Sequence, residues 1–368
     1  MFTEKDLVRV AKRENNKKRN YLVVNRLQAK HVPVSPKLTL TMFSELADIV
    51  KEGCGNEQLL LIGFAETATA IGAGLAIELN SYYMQTTREN IPDVEYLYFS
   101  EAHSHAVEQR LIKDDLDLII NRIDRIVFVE DEVTTGNTIM NIVRIINDLY
   151  PGKVKFAVAS ILNGMDAEAM EIYNAYDIDV YYLVKTNHGE YPAIADSFKG
   201  DGEYITDVSE KIMPEINVWD FLRVKSVRRL IKGESYELCC EKLWEQISDK
   251  VEFEEGQRVL VLGTEELMYP AIYVSDRISE AGCRTQCHST TRSPITVSME
   301  DEYPLHTRYE LRSVYDDARR TFIYDIGTYD KVVVITDTEN VSDNGIQDLC
   351  KAVYSKENTD ITLVRWCD

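Results

Sequence analysis

The sequence predicts an α/β protein of two domains, each a mostly parallel sheet with helices on both faces, and three observations lead there. Continuous apolar runs of strand length alternate with segments of helical spacing, which is the pattern of strands buried on both sides. The chain has 368 residues, more than one hydrophobic core usually serves. A strand, turn and helix layout also occurs twice, once from Gln58 and again from Gln257.

The opening stretch, DLVRVAKRENNKKRNYLVVN, is first basic and polar, then turns apolar at Tyr21 to Val24. Its tract of Lys12, Arg13, Lys17, Lys18 and Arg19 reads as solvated surface, with contact to a phosphate as the alternative. From Thr41, TMFSELADIV has helical spacing, and QLLLIGFAETATAIGAGLAIEL follows as buried strand, Gly-opened loop and small-residue helix. DRIVFVEDEVTTGNTIMNIVRIINDLY repeats the scheme, and GKVKFAVASILNG continues it. Between Asp196 and Lys250 the pattern loosens, and SVRRLIKGESYELCCEKLWEQI fits short amphipathic helices. It tightens again with RVLVLGTEELMYPAIYVSDRISEAG and YDKVVVITDTENVSDNGIQDLCKAVY. The expected organisation is a first domain over 1–200 with an N-terminal arm, a helical connector over 201–250 and a second α/β domain over 251–368.

The two α/β regions share a layout. Gly63 to Arg88 spans 25 residues and Arg88 to Asp131 spans 43, against 29 from Gly263 to Arg292 and 45 from Arg292 to Asp337. The second region therefore reads as a diverged repeat of the first.

Composition narrows the partners. Asp and Glu number 62 against 41 Lys and Arg, a formal charge of -21 whose field repels phosphate backbones, so nucleic acid is not expected and the substrate should be small. Seven cysteines form no framework spacing and six histidines no ligand pattern around them, which points to reduced thiols, with a redox or zinc role as the alternative. No apolar signal-peptide core opens the chain, and no run approaches the ~20 apolar residues of a spanning helix. The expected location is the cytoplasm, without a membrane partner.

The strongest local signal is RIVFVEDEVTTGNT, residues 125–138. An apolar strand ends in Glu130 and Asp131, and a small-residue turn leads straight into a helix, placing backbone N–H groups and the positive helix end around an anion. Gly136 allows close approach of a phosphate, and Thr134, Thr135 and Thr138 add hydroxyl donors beside Asn137. Carboxylates repel phosphate but accept from sugar hydroxyls and suit a hydrated magnesium ion, so Glu130 and Asp131 are the candidates for both roles.

This string resembles the binding loop for 5-phosphoribosyl 1-pyrophosphate (PRPP) in type I phosphoribosyltransferases: two acids, two variable residues, then Thr-Thr-Gly-x-Thr. The resemblance implies a type I phosphoribosyltransferase-like sheet in which Glu130 and Asp131 hold the ribose hydroxyls and Thr134 to Thr138 hold the 5-phosphate. GFAETATAIG, residues 63–72, lies where the family places its pyrophosphate loop, with Thr67 and Thr69 as donors and Glu66 acting through magnesium; a tightly packed turn is the other reading. Arg88 in QTTRE is a clamp on pyrophosphate or a surface arginine. YFSEAHSHAVEQRL, residues 98–111, sits where orotate-type members carry a mobile flap. His103 and His105, with Glu101 as partner, are candidates for protonating or orienting the leaving group, while a metal site or an exposed loop are the alternatives. The flap lysine usual in the family is absent from 98–110.

Lys30, His31 and the rigid PVSP after them form an ordered N-terminal arm, form a wall over the acceptor or reach phosphate from a neighbouring subunit, and KTNHGEYP, residues 185–192, is a further acceptor-side candidate. In the second region, Arg292 is read as an anion contact beside Gly263, Thr264, Glu265 and Glu266, or as a salt-bridged arginine at a domain interface. The whole chain resembles two-part proteins in which an orotate-type phosphoribosyltransferase is fused to a domain named for its Thr-Arg-Ser-Pro signature, here Thr291 to Pro294. Such proteins are associated with bacterial tellurium-resistance and stress gene clusters. The resemblance implies a magnesium-dependent, homodimeric enzyme that moves ribose 5-phosphate from PRPP to an unidentified small acceptor. Cleavage of a ribosylated compound in the same pocket, and a non-catalytic PRPP sensor, are the alternatives. The second region keeps Asp337 and Glu339 but lacks the Thr-Thr-Gly-x-Thr cradle, so a second transfer is not expected there.

Overall fold

A computed structural model describes residues 2–14, 19–99, 109–222, 225–338 and 343–367. The chain divides into two compact units. The first comprises residues 1–2, 41–186 and 225–239, and the second residues 3–40, 187–224 and 240–368.

In the first unit, five parallel strands form the sheet, in the order Tyr82–Gln85, Leu59–Gly63, Arg125–Val133, Lys155–Asn163, Ile178–Lys185. Numbered along the chain this is 2-1-3-4-5, so the strand order reverses between Leu59–Gly63 and Arg125–Val133. Ile231–Lys232 adds an antiparallel edge beside Tyr82–Gln85. The central strands are buried at every position up to Gly63 and Val129, and apolar there apart from Arg125, as strands covered on both faces must be. Helices Thr69–Glu78 and Asn137–Leu149 follow the first and third strands. Thr69–Glu78 is built of small and apolar residues because Gly72 packs against Gly63, where a Cβ on Gly72 would lie 2.9 Å from the Gly63 Cα.

Tyr96–Phe99 and Gln109–Ile112 pair antiparallel between the second and third strands, Phe99 opposite Gln109. Residues 100–108, with Glu101, His103 and His105, lie outside the described residues.

The second unit has a parallel sheet in the order Arg284–Ser289, Arg258–Gly263, Lys331–Thr336, Ile361–Cys367, Asn217–Leu222. Its first four places repeat the 2-1-3-4 order of the first sheet, and the fifth is filled from upstream in the chain. Thr307–Arg312 and Arg320–Tyr324 form an antiparallel pair between the second and third strands, as the hairpin strands do in the first unit. Glu203–Ile205 runs parallel to Thr307–Arg312. One core packs Leu260, Leu262, Val332, Val334 and Leu363 from the sheet against Ile346 and Val353 from helix Asp343–Tyr354.

This division differs from the boundaries expected at 200 and 250. Residues 3–40 group with the second unit, because the hairpin Val8–Lys12 and Tyr21–Asn25 buries Ala11 and Val24 with Ile295, Tyr303, Phe322 and Tyr324. The described residues of 201–250 include the strands Glu203–Ile205, Asn217–Leu222 and Ile231–Lys232 besides helix Gly233–Ser248. Glu203–Ile205 and Ile231–Lys232, three and two residues long, are too short to announce themselves by periodicity.

Candidate active site

Ligands in open parallel sheets bind outside the carboxyl ends of the strands, where the order reverses. In the first unit that point lies between the loops that follow Gly63 and Val133, and these are the two loops singled out by sequence. The Thr67 hydroxyl donates to Asp131 Oδ1 at 2.8 Å, joining them directly.

The loop after Gly63 is held from three sides. Phe64 N donates to Val129 O at 3.0 Å and Thr86 N to Gly63 O at 3.0 Å. Ala65 N donates to the Thr86 hydroxyl at 2.8 Å, that hydroxyl donates to Gln109 Oε1 at 2.9 Å, and Gln109 Nε2 donates to Ala65 O at 2.8 Å. The Ala65–Glu66 peptide is cis and the Glu66 side chain is buried. Thr69 opens its helix with a buried side chain whose hydroxyl donates to Glu66 O at 3.4 Å, while Thr67 is half-exposed. A Cβ on Gly63 would lie 2.8 Å from Ala68 O, so this glycine serves close packing of the turn.

In the second loop, Glu130, Asp131 and Glu132 are half-buried at the end of an otherwise buried strand, and Thr134, Thr135, Asn137 and Thr138 are at least partly exposed. Gly136 is left-handed, φ 70°, and caps the 13-residue helix Asn137–Leu149. This conformation turns the first N–H groups of the helix towards the loop, with the positive end of the helix behind them. Tyr173, from helix Ala167–Ala175, donates its hydroxyl to Gly136 O at 2.6 Å and fixes the turn from below. Burial, with the charge of Glu130 added, pushes the Tyr173 phenol well above its ordinary range, so it remains a donor. Two halves result, a carboxylate half suited to hydroxyls and a backbone half suited to an anion.

Arg88 is half-buried just beyond Thr87, whose backbone exchanges bonds with Arg110, Thr87 N to Arg110 O at 2.9 Å and Arg110 N to Thr87 O at 3.2 Å. At the ends of the fourth and fifth strands, Lys185 Nζ donates to Asn163 Oδ1 at 2.7 Å, and burial lowers its pKa. Sequence reasoning missed Tyr173, Thr86 and Gln109, which lie outside the motif and come from other elements. Lys30 is fully buried in the second unit, its Nζ donating to Glu265 O at 2.8 Å and Thr290 O at 3.0 Å, which agrees with the ordered arm. Arg292 is salt-bridged within that unit, its Nε 2.5 Å from Glu265 Oε2.

Glu130 and Asp131 offer the hard oxygen donors that magnesium takes. Among the described residues no group of three or more His, Cys, Asp or Glu is placed to hold a metal. A pair of carboxylates fits a magnesium ion that keeps waters and substrate phosphates in its shell.

Comparison with known proteins places these features. Residues 7–187 match the family described as phosphoribosyl transferase, and residues 233–353 match the TRSP domain described as lying C-terminal to it. Among solved structures, adenine phosphoribosyltransferase from Rhodothermus marinus is 13% identical, over 50% of this chain and 96% of that one, with a TM-score of 0.35. The enzyme from Giardia lamblia, in complex with 9-deazaadenine, is 12% identical over 51% and 100% of the two chains, TM-score 0.37. The one from Thermoanaerobacter pseudethanolicus is 17% identical over 50% and 97%, TM-score 0.35. No curated protein matches the chain. With its two loops at the switch point, the chain carries a phosphoribosyl transferase domain over residues 7–187 followed by a TRSP domain over residues 233–353.

Proposed function

We propose that the first unit transfers ribose 5-phosphate from magnesium-bound PRPP to a small acceptor and releases pyrophosphate. The observation that carries this is the joining of the two loops: Thr67 meets Asp131 at 2.8 Å, one turn from the left-handed Gly136. A carboxylate able to accept from sugar hydroxyls and a helix N-terminus able to hold a phosphate thus lie on one loop, which supports this reading.

Glu130 and Asp131 accept from the two ribose hydroxyls. Residues 134–138 hold the 5-phosphate through backbone N–H groups and threonine hydroxyls. An acceptor nitrogen supplies its lone pair to C1 as the C1–O bond to pyrophosphate breaks, with inversion, and the nitrogen then loses its proton. The bonding electrons leave with pyrophosphate, whose charge Arg88 faces. Bound magnesium supplies neutralisation of the pyrophosphate oxygens. Glu101, His103 and His105, on the segment joining the hairpin strands, protonate or orient the leaving group, and Thr69 supports the turn that Thr67 extends from. Positioning and fixed dipoles provide most of the acceleration, and no covalent nucleophile is needed.

The acidic chain favours a small substrate over nucleic acid, and among the described residues no helix is long and apolar enough to cross a membrane. A cytoplasmic homodimer is the setting that this reading carries with it. Pyrophosphate release from PRPP, assayed against a panel of nitrogenous small molecules, tests the reaction. Release that needs both magnesium and one acceptor class, and that drops at least a hundredfold in His103→Ala, His105→Ala with PRPP affinity kept, is the expected result. Tight PRPP binding without release on any acceptor counts against transfer and favours a sensor.

A further inference from the structure

The second sheet ends in a buried polar cluster that the proposed transfer does not use. Its hydrogen bonds repeat those of the first site position by position. Thr290 N donates to Gly263 O at 3.1 Å as Thr86 N does to Gly63 O, and the Thr290 hydroxyl accepts from Glu265 N at 3.0 Å as Thr86 does from Ala65 N. Thr291 exchanges both backbone bonds with Phe322, at 2.8 and 2.7 Å, as Thr87 does with Arg110. Glu265 thus stands where the first unit has Ala65, and Arg292 where it has Arg88. Gly63 is opposite Val129 and Gly263 opposite Ile335, so Asp337 stands where the first unit has Asp131.

The hydroxyl-binding half persists. Asp337 is 5% exposed, and the Tyr315 hydroxyl lies 2.7 Å from its Oδ1 and 2.8 Å from the Thr264 hydroxyl. Thr264 in turn donates to Thr336 at 3.1 Å. The anion half is closed by the chain itself. Glu265 is fully buried, with a left-handed φ of 47°, and its carboxylate lies 2.5 Å from Arg292 Nε and 3.1 Å from Arg319 while accepting from Ser313. One internal carboxylate fills the place between two guanidinium groups that a phosphate oxygen would take. After Asp337 the sequence reads Thr-Glu-Asn-Val-Ser-Asp-Asn, without the glycine and paired threonines of the first loop. Burying this many charges costs more than an apolar core of the same volume, and a non-glycine residue held left-handed at a strand end is a feature that marks functional sites.

We propose that the carboxyl edge of the second sheet is a ligand site of its own, taking a ribosyl compound that bears neither a 5-phosphate nor a pyrophosphate. Asp337 accepts from its vicinal hydroxyls, with the hydroxyls of Tyr315 and Thr264 beside them, and Arg292 and Arg319 stay engaged by Glu265. The inference rests on the reading of Asp131 as a holder of ribose hydroxyls, though not on the transfer step itself.

The test uses the full chain, with ribose and the four common ribonucleosides as probes, each nucleoside beside its 2′-deoxy form, followed by saturation-transfer NMR. Saturable binding of at least one ribosyl probe is expected, weakened at least tenfold by loss of the 2′-hydroxyl and by Asp337→Asn, and unchanged by Asp131→Asn. PRPP binding should respond to the same two substitutions in the opposite sense, so failure of either reading is seen separately. Should Asp337→Asn melt early, Tyr315→Phe takes its place, with an expected loss of at least threefold. Absence of binding by every probe, binding lost with Asp131 and kept without Asp337, or tighter second-site binding of ribose 5-phosphate or pyrophosphate overturns the proposal.

Discussion

At Gly136 the backbone turns left-handed, and a Cβ there would lie 2.3 Å from the Tyr173 hydroxyl oxygen and 2.7 Å from two ring carbons. Gly136→Ala therefore meets both a conformational cost and a clash with a buried ring, together about 2 kcal/mol or more. Denaturant unfolding should show that loss, and calorimetry should show PRPP affinity reduced at least tenfold. A variant with unaltered affinity would mean that this turn does not hold the phosphate. The residues of 130–138 were legible in the sequence because they are consecutive, so strand, acids, turn and helix start appear in one string. Tyr173 was not legible, since it reaches the same turn from 37 residues away and nothing in its own neighbourhood marks it.

Among the elements, buried strands were readable from unbroken apolar runs such as Leu59–Gly63 and residues 332–335 within Lys331–Thr336. The edges were not. Asn217–Leu222 has no fully buried residue, and Ile231–Lys232 is two residues long. The latter is held by Asp115, a buried carboxylate that accepts from Arg229 Nε at 2.8 Å, from Arg229 Nη2 at 2.7 Å and from Leu230 N at 2.8 Å. Beyond it Gly233 N donates to Ser81 O at 2.8 Å, and Tyr236 stacks on Tyr83 with ring centroids 5.9 Å apart. Asp115→Asn breaks a buried pair and should cost about 3 kcal/mol, with faster hydrogen exchange across 229–233. Disruption of the exposed pair Arg258 and Asp330, screened by solvent, should cost much less. Equal costs for the two would contradict the assignment of Asp115 as the anchor of this edge.

For the molecule as a whole, the repeat was visible as spacing, but its depth was not: shared strand order and shared loop hydrogen bonds are properties of pairing, which local periodicity does not carry. The grouping of residues 3–40 with the second unit was hidden for the same reason. One consequence is readable in pH. His288 is fully buried in the second unit, its Nε2 donating to Tyr324 O at 2.9 Å, and burial pushes its pKa down to about 4. Between that value and the ordinary histidine range the unfolded chain binds a proton that the folded one does not. Stability is therefore full above the ordinary range and falls as pH falls, by roughly 1.4 kcal/mol per pH unit from this group alone. Urea unfolding at pH 7, 6 and 5 should show the slope, and His288→Gln should flatten it; a slope identical in the variant would contradict the assignment.

The central claim is that the loops joined by Thr67 and Asp131 bind PRPP, and calorimetric titration with and without magnesium addresses it most directly. Unmodified protein should bind PRPP with micromolar affinity only when magnesium is present, and an Asp131→Asn, Thr135→Ala double variant, folded by its melting curve, should not bind. A folded unmodified protein that takes up no PRPP, or a double variant that binds as tightly, would contradict the account.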